Sequence, residues 1–600
     1  MSCDKLVFDL SQEVEGSPNV FIRKDWINIL DNQNQNYQNN QSIIDTSQLA
    51  NSNKYMGYRE AYLAVPMLMS VSLPLAQAGL SVKANAYSIG LKNWFGSIIH
   101  SMTLDYNGTT IVQQTPFCNM WNSFKLLTTL SWADVATQGP TIGFYPDTAG
   151  AWAYFTAANG NGISVVNNDM ATVSSITTSY LRNDYNQYLP GISLSDGTIT
   201  TTTGLGGNEG LTYRTKWIAF NPDDGILTSS AVPSTAYKTN GVSKATMTQI
   251  WKSNVSQAIN STDAVRGLIQ VSVMATIYLK HIHSFFNMSP LLKGVFMKIT
   301  LNLNNSSAQF AYTNGGVATG ALITANAVSS NVYIGGVQPL LIPSCSTGSS
   351  YLNDTTNKPT AAGTVYYDLM VGSKSYNVNI TGNANYAEGN VSKSIYLYVP
   401  AYTFNPTFEQ AYLSNNIKQI KYTDIYQYQV KNIGASEQFN NLITNGIANI
   451  KSVLIIPFYA TDYAGNSYQE FQSPFDPAGC GTTAPMITLG NFNVQISGQN
   501  AIYNTQRYTF EEWNNQLYGQ NAVNGGLTDG LTSGLINFSD FQNSYCYHYV
   551  NVERMLPVEQ SVPKSVQILG TNYSTRSINL WVFIEYGVQV SIDVLTGARV

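Results

Sequence analysis

The residues of this 600-residue chain most suited to chemistry are its four histidines, His100, His281, His283 and His548, and its five cysteines, Cys3, Cys118, Cys345, Cys480 and Cys546. His281 and His283 stand two apart, a spacing that would place both rings on one face of a strand, as a metal pair requires. No Cys or carboxylate flanks them to complete a ligand set, so a structural role at a strand end is the stronger reading. Cys546-Tyr547-His548 is weaker, because Cys480 is distant and no Cys-x-x-Cys half accompanies it. In Gly530-Leu531-Thr532-Ser533-Gly534 the serine falls one place late for a nucleophile elbow, which leaves a flexible Gly/Ser loop. Glu511 and Glu512, ahead of Trp513, are adjacent acids that point in different directions and suit a solvated face better than paired acid/base work. No Gly-Lys pair exists to end a phosphate-binding loop, and His-Glu-x-x-His is absent. The sequence therefore assigns no catalytic residue, no cofactor-binding residue and no metal ligand, and reads as a protein that is not an enzyme.

The remaining candidates are tyrosines. Tyr396, Tyr398, Tyr402, Tyr422, Tyr426 and Tyr428 could form a platform on which sugars stack. Core and intersubunit packing, in which a ring is buried while its hydroxyl stays hydrated, is favoured over that role.

The elements that must position these residues are strands. Charged residues make up only 11% of the chain while hydrophobic ones reach 44%, and the abundance of aromatic and β-branched residues among Asn, Gly and Ser favours an all-β chain. At 65.7 kDa one hydrophobic core is not enough, and two large modules are expected. A net charge of -5 has the wrong sign for holding nucleic acid through counterion release. Five scattered cysteines suit reduced thiols of an intracellular compartment. The N-terminal residues lack an uninterrupted h-region, and no apolar run approaches the roughly 18 residues of a membrane helix.

Residues 28–53 are rich in amide side chains and read as an extended arm. A core is expected from Tyr62-Leu63-Ala64-Val65-Pro66-Met67-Leu68-Met69 onward. Asn107-Gly108, between β-prone runs, predicts a type I′ hairpin turn. Residues 135–245, rich in Thr, Ser and Gly, suit long surface loops. Alternation of period two predicts strands over Ile269–Leu279 and Val295–Leu303. A second series begins at Val332-Tyr333-Ile334 and Pro339-Leu340-Leu341-Ile342-Pro343, with later strands at 394–399 and 452–456. Asn405 as N-cap and Pro406 as first residue predict a helix between these last two. The chain closes on an alternating pair, Leu580–Tyr586 and Val588–Val594, separated by Gly587. The partition expected is an arm over 1–55, a first module over 56–305 and a second over 306–600, with the seam near 304–330.

Four stretches carry a resemblance. They are Phe21-Ile22-Arg23-Lys24-Asp25-Trp26 through Asp45-Thr46-Ser47 to Lys54-Tyr55; Trp94 through Asn107-Gly108 to Gln113-Gln114-Thr115-Pro116-Phe117; Phe285-Phe286 with Pro290-Leu291-Leu292-Lys293-Gly294-Val295; and the C-terminal strand pair. In order and spacing the chain resembles the double jelly-roll major capsid proteins of virophages and Polinton-like viruses. That resemblance implies two consecutive eight-stranded jelly rolls with few short helices. It also implies a homotrimer of pseudo-hexagonal outline, trimers tiling an icosahedral shell around double-stranded DNA, and a minor capsid (penton) protein as a further partner. Synthesis in the host cytoplasm and residence in the virion follow, with no cofactor.

Two other readings compete. A trimeric viral fibre or receptor-binding adhesin is also β-rich, but would show short repeats along a shaft, and none is evident. A secreted carbohydrate-active enzyme would want a signal peptide and two separated acids in a cleft.

Overall fold

The computed structural model describes residues 19–33, 41–75, 94–144, 266–303, 307–312, 394–460, 489–502, 508–524, 534–552 and 561–600, less a few positions within them, and short strands in between. Strands dominate, as two sets of eight with the same order of pairing.

The first set comprises β1 (Phe21–Leu30), β2 (Gln41–Asp45), β3 (Tyr62–Leu75), β4 (Ile99–Tyr106), β5 (Thr109–Val112), β6 (Arg266–Tyr278), β7 (Met297–Leu303) and β8 (Tyr396–Phe404). Its strands pair as β1-β8-β3-β6 in one sheet and β2-β7-β4-β5 in the other, all antiparallel. The second set comprises β9 (Ile417–Ile433), β10 (Gln438–Ile447), β11 (Ile450–Tyr459), β12 (Leu489–Ile496), β13 (Gln499–Asn500), β14 (His548–Asn551), β15 (Lys564–Asn572) and β16 (Ile578–Asp593). They pair as β9-β16-β11-β14 and β10-β15-β12-β13. In each set the first strand pairs with the last and the second with the seventh, which is the order of a jelly roll. The fold is a double jelly roll.

Period-two alternation builds these sheets. Met297, Ile299, Leu301 and Leu303 on β7 are fully buried while the residues between them are half-exposed. Ala275 and Ile277 on β6, with Leu279 beyond its end, repeat the pattern. The turn between β4 and β5 is the expected one, with Asn107 at φ 45° and Gly108 at φ 80°, the left-handed pair that a type I′ hairpin needs.

Strand pairing departs from the expected partition. Phe21–Leu30, inside the expected arm, runs antiparallel to β8 with Trp26 opposite Pro400, and Gln41–Asp45 pairs with β7. The first sheet set therefore begins near residue 21 and closes only at Phe404, and a seam at 304–330 falls inside it. Amide side chains did not prevent pairing, because Ile27 and Ile29 point inward against the core. A second correction concerns the C-terminal pair, which is one unbroken strand, β16. Gly587 does not turn the chain; its N–H donates to the Asn449 carbonyl, and a Cβ there would lie 2.2 Å from Asn449 Nδ2.

Among the described helices between the strands are α1 (Cys118–Thr129), α2 (Trp132–Ile142), α3 (Leu279–Ile282), α4 (Ser284–Met288), α5 (Pro406–Leu413) and α6 (Phe510–Asn524). As expected, α5 has Asn405 as N-cap, its side chain accepting from the Thr407 N–H. The helix α2 occupies the start of the segment expected to form loops; most of the rest of 135–245 lies outside the described residues, as does Val332-Tyr333-Ile334. Among the described residues no helix is long and apolar enough to cross a membrane.

Candidate functional site: the junction of the two modules

The chain leaves β5 of the first module and forms α1, in which every residue from Cys118 to Thr128 except Lys125 is buried, the polar Asn119, Asn122, Ser123 and Thr128 included. Cys118, Met120, Trp121, Phe124, Leu126 and Leu127 are all buried, so neighbours cover the helix on nearly every side. Its hydroxyls are satisfied internally, Ser123 donating to the Asn119 carbonyl at 2.8 Å and Thr128 to that of Phe124 at 2.9 Å. Its N-terminal side rests on the first module, where Asn119 Nδ2 donates to the Ser97 carbonyl.

The opposite side enters the second module. The Phe117 ring meets Trp581 at 4.3 Å, and Trp121 meets Phe583 at 6.4 Å. Phe124 is enclosed by Tyr547, Tyr549 and Trp513 at 5.2, 5.6 and 6.0 Å. Lys125 reaches Glu585, with Nζ 3.6 Å from Oε1, while Ser452 donates to the other oxygen of that buried carboxylate at 2.9 Å. The C-terminal carbonyl of Leu127 accepts the Leu535 N–H at 3.0 Å. Beside it Gly534 sits at φ +56°, where a Cβ would lie 2.3 Å from that same carbonyl. The last glycine of the Gly530–Gly534 stretch thus lets a loop approach a helix end; residues 530–533 lie outside the described residues.

A second set of contacts joins α3 and α4 to β9. Ser284 Oγ donates to the Thr423 carbonyl and accepts the Thr423 N–H at 2.9 Å. His283 Nε2 lies 3.4 Å from Asp424 Oδ1, and its Nδ1 accepts the Phe285 N–H at 3.2 Å, which assigns the proton to Nε2. Tyr422 donates to the Ile111 carbonyl at 2.6 Å, with its ring edge-on to Phe285. Thr115 Oγ1 donates to the Ile425 carbonyl at 2.8 Å.

The chemical candidates are dispersed. His281 and His283 do not share a strand face: His281 lies in α3, against Trp94 and Tyr278, and His283 caps α4. Burial holds His281 at about 4, with Lys280 adding to the effect, so its ring is neutral. His548 opens β14, fully buried, with Nε2 accepting the Leu489 N–H. Burial pushes the Cys118 thiol up to about 12, which makes it inert; Cys3, Cys345, Cys480 and Cys546 lie outside the described residues. Glu511 is exposed in the first turn of α6, held below its ordinary value by its own N–H and the Thr509 hydroxyl, while Glu512 accepts from Gln516. Among the described residues no group of three or more His, Cys, Asp or Glu is placed to hold a metal. Of the six tyrosines, Tyr422 joins the junction, and Tyr402 donates to Glu60 at 2.5 Å. Tyr396 and Tyr398 lie on a sheet face, and Tyr426 and Tyr428 are exposed on β9. The helix α1 was missed by sequence reading, because Asn119, Asn122, Ser123 and Lys125 interrupt its apolar residues.

No protein-family model matches the sequence, and no curated protein matches it. In structure it is similar to the Sputnik virophage solved by cryo-electron microscopy, with a TM-score of 0.49 and 10% identity, over 98% of this chain and 90% of that one. It is also similar to the mavirus major capsid protein, with a TM-score of 0.45 and 8% identity, over 98% and 92%. The Faustovirus major capsid protein gives 0.40 and 9%, over 98% and 94%.

Proposed function

We propose that this chain is the major capsid protein of an icosahedral double-stranded DNA virus, a structural subunit and not an enzyme. The observation that carries the reading is the junction: two jelly rolls of identical strand order are joined by a buried helix and an ion pair into one block with two similar halves. A block of this kind offers its neighbours two halves of similar build, which suits a subunit that tiles a shell. Weak net charge lets many copies crowd together without strong repulsion. The units proposed are 21–404 and 417–594, joined by the α5 segment.

In this reading three chains form a trimer of pseudo-hexagonal outline and trimers tile the shell, with a penton protein at the vertices. Synthesis is in the host cytoplasm, and the mature location is the virion. Expression followed by electron microscopy tests it: pseudo-hexagonal trimers or shells are expected, whereas elongated rods, or monomers that hydrolyse glycans, overturn it.

A further inference from the structure

Two residues at the start of the junction have irregular backbone. On β4, Ser101 stands opposite Asn302 of β7 and Ile99 opposite Leu303, so His100 is the extra residue of a bulge, a device that re-aims a side chain. Phe117, the N-cap of α1, holds φ 58° and ψ 26°. That left-handed conformation is costly for a bulky residue and persists only where its surroundings fix it. The Phe117 side chain makes no cap hydrogen bond that would do so.

What fixes it is a pair of rings, one from each module. His100 meets Phe117 edge-on at 4.6 Å, and Phe117 meets Trp581 of β16 at 4.3 Å. Phe117 and Trp581 are both buried. The next residue, Cys118, donates its thiol to the Ile99 carbonyl, which adjoins His100. The entry of α1 is thus clamped between the bulge of the first module and Trp581 of the second.

His100 is the member of the clamp that can change charge. Burial holds its ring at about 4, so the ring is neutral while the clamp is closed. The other titratable side chains on the elements around it are Asp105 and Tyr106 of β4, Cys118 and Lys125 of α1, Lys298 of β7, and Glu585, Tyr586 and Asp593 of β16. None of them adds to the effect of burial. Glu585 is already taken up by Lys125 and Ser452, and among the described residues no carboxylate pairs with His100.

We propose that His100 is an acid-sensitive latch on the junction: its protonation drives the ring out into water, frees Phe117 from its place between the modules and opens the start of α1. This goes beyond the assembly reading and does not depend on it. An open form with the ring in water takes up its proton at the ordinary value of 6.5, while the closed form resists it down to about 4. The advantage of the closed form is therefore complete above about pH 6.5 and is lost as pH falls toward 4. The ratio of open to closed rises about 20-fold between pH 7 and pH 5.

Cys118 reports the opening, because its thiol is shut against the Ile99 carbonyl while the entry is closed. The test labels the full chain with a pyridyl disulfide, which reacts with thiols at acidic pH. The label is mapped to Cys118 by peptide mass, and its rate is divided by that of glutathione under the same conditions. The parent is expected to label about 20-fold faster at pH 5 than at pH 7. His100→Phe, which keeps a ring and loses the proton site, is expected to label slowly at both. Phe117→Gly, in which the left-handed backbone is unstrained and the ring is gone, is expected to label fast at both. His281→Phe is expected to keep the parent's full rise, since the His281 ring packs on Trp94 and Tyr278.

A rise in His100→Phe equal to the parent's, a rise lost in His281→Phe, or slow labelling of Phe117→Gly overturns the latch. Where His100→Phe does not fold, as judged by calorimetry at neutral pH, His100→Gln carries the same expectation. A parent that labels equally fast at both pH values overturns the proposal without any variant.

Discussion

Phe124 offers the sharpest perturbation of the junction. Its ring belongs to the first module in sequence but is fully buried among Trp513, Tyr547 and Tyr549 of the second. Truncation by Phe124→Ala removes the ring and leaves a cavity, a change that costs about 3–5 kcal/mol in well-packed sites. The walls are β14 and α6, both held by their own hydrogen bonds, so little collapse is available and the upper half of that range, about 4 kcal/mol, applies. Loss of the edge-on contacts falls within the same figure. For a unit the size of the second module this lowers the melting temperature by roughly 8–16 °C. Differential scanning calorimetry of parent and variant measures it, with Phe538→Ala in the free chain as an exposed reference expected to change stability by less than about 0.5 kcal/mol. A Phe124→Ala shift no larger than that of the reference would refute the claim that α1 is embedded in the second module.

Three further outcomes are expected. Lys125→Met leaves the buried Glu585 carboxylate with Ser452 but no cation, and is expected to destabilise by about 3 kcal/mol, read by chemical denaturation; Lys125→Met combined with Glu585→Gln should recover part of the loss. Gly587→Val places carbon where Asn449 Nδ2 packs, so overpacking should cost about 1–3 kcal/mol, and Asn449→Ala in the same chain should relieve it. Burial holds His100 and His281 at about 4, against 6.5 for a free imidazole. The unfolded chain therefore binds more protons between those values, and stability present above about pH 6.5 is lost as pH falls toward 4. The loss is up to roughly 3 kcal/mol for each ring, and a titration of melting temperature against pH should fall across that window and flatten below it.

What was legible in the sequence was local. Asn107-Gly108 dictates its own turn, Asn405-Pro406 caps its own helix, and the alternation along β7 declares which face is buried without reference to a partner. Pairing over long separations left no such mark. Phe21–Leu30 reads as an arm because half of its face is polar and its partner lies near the far end of the first module. The strand β16 was divided at Gly587, since a glycine between alternating runs resembles a turn; only the approach of Asn449 gives that glycine its other purpose. His281 and His283 were placed on a strand because period two continues to Leu279, and the switch into α3 has no Gly or Pro to announce it. The junction was invisible for a further reason. The helix that inserts into the second module mixes apolar residues with buried Asn119, Asn122 and Ser123, and so short a mixed run cannot be assigned by periodicity alone.

The pairing of β1 with β8 has a consequence for how the protein is made. Trp26 leaves the ribosome on the order of 370 residues before its partner Pro400, which at about 5–20 residues per second is a delay of roughly 20–75 s. Until β8 arrives, β1 lacks the strand it pairs with, and β3 is open along part of one side. The helix α1 waits longer still, its Phe124 without Trp513, Tyr547 and Tyr549 until β14 is made and its Trp121 without Phe583 until β16 is. Packing of both modules is thus completed only when the last strand has been made, so the partly made chain carries unpaired strands and an uncovered helix through most of its synthesis.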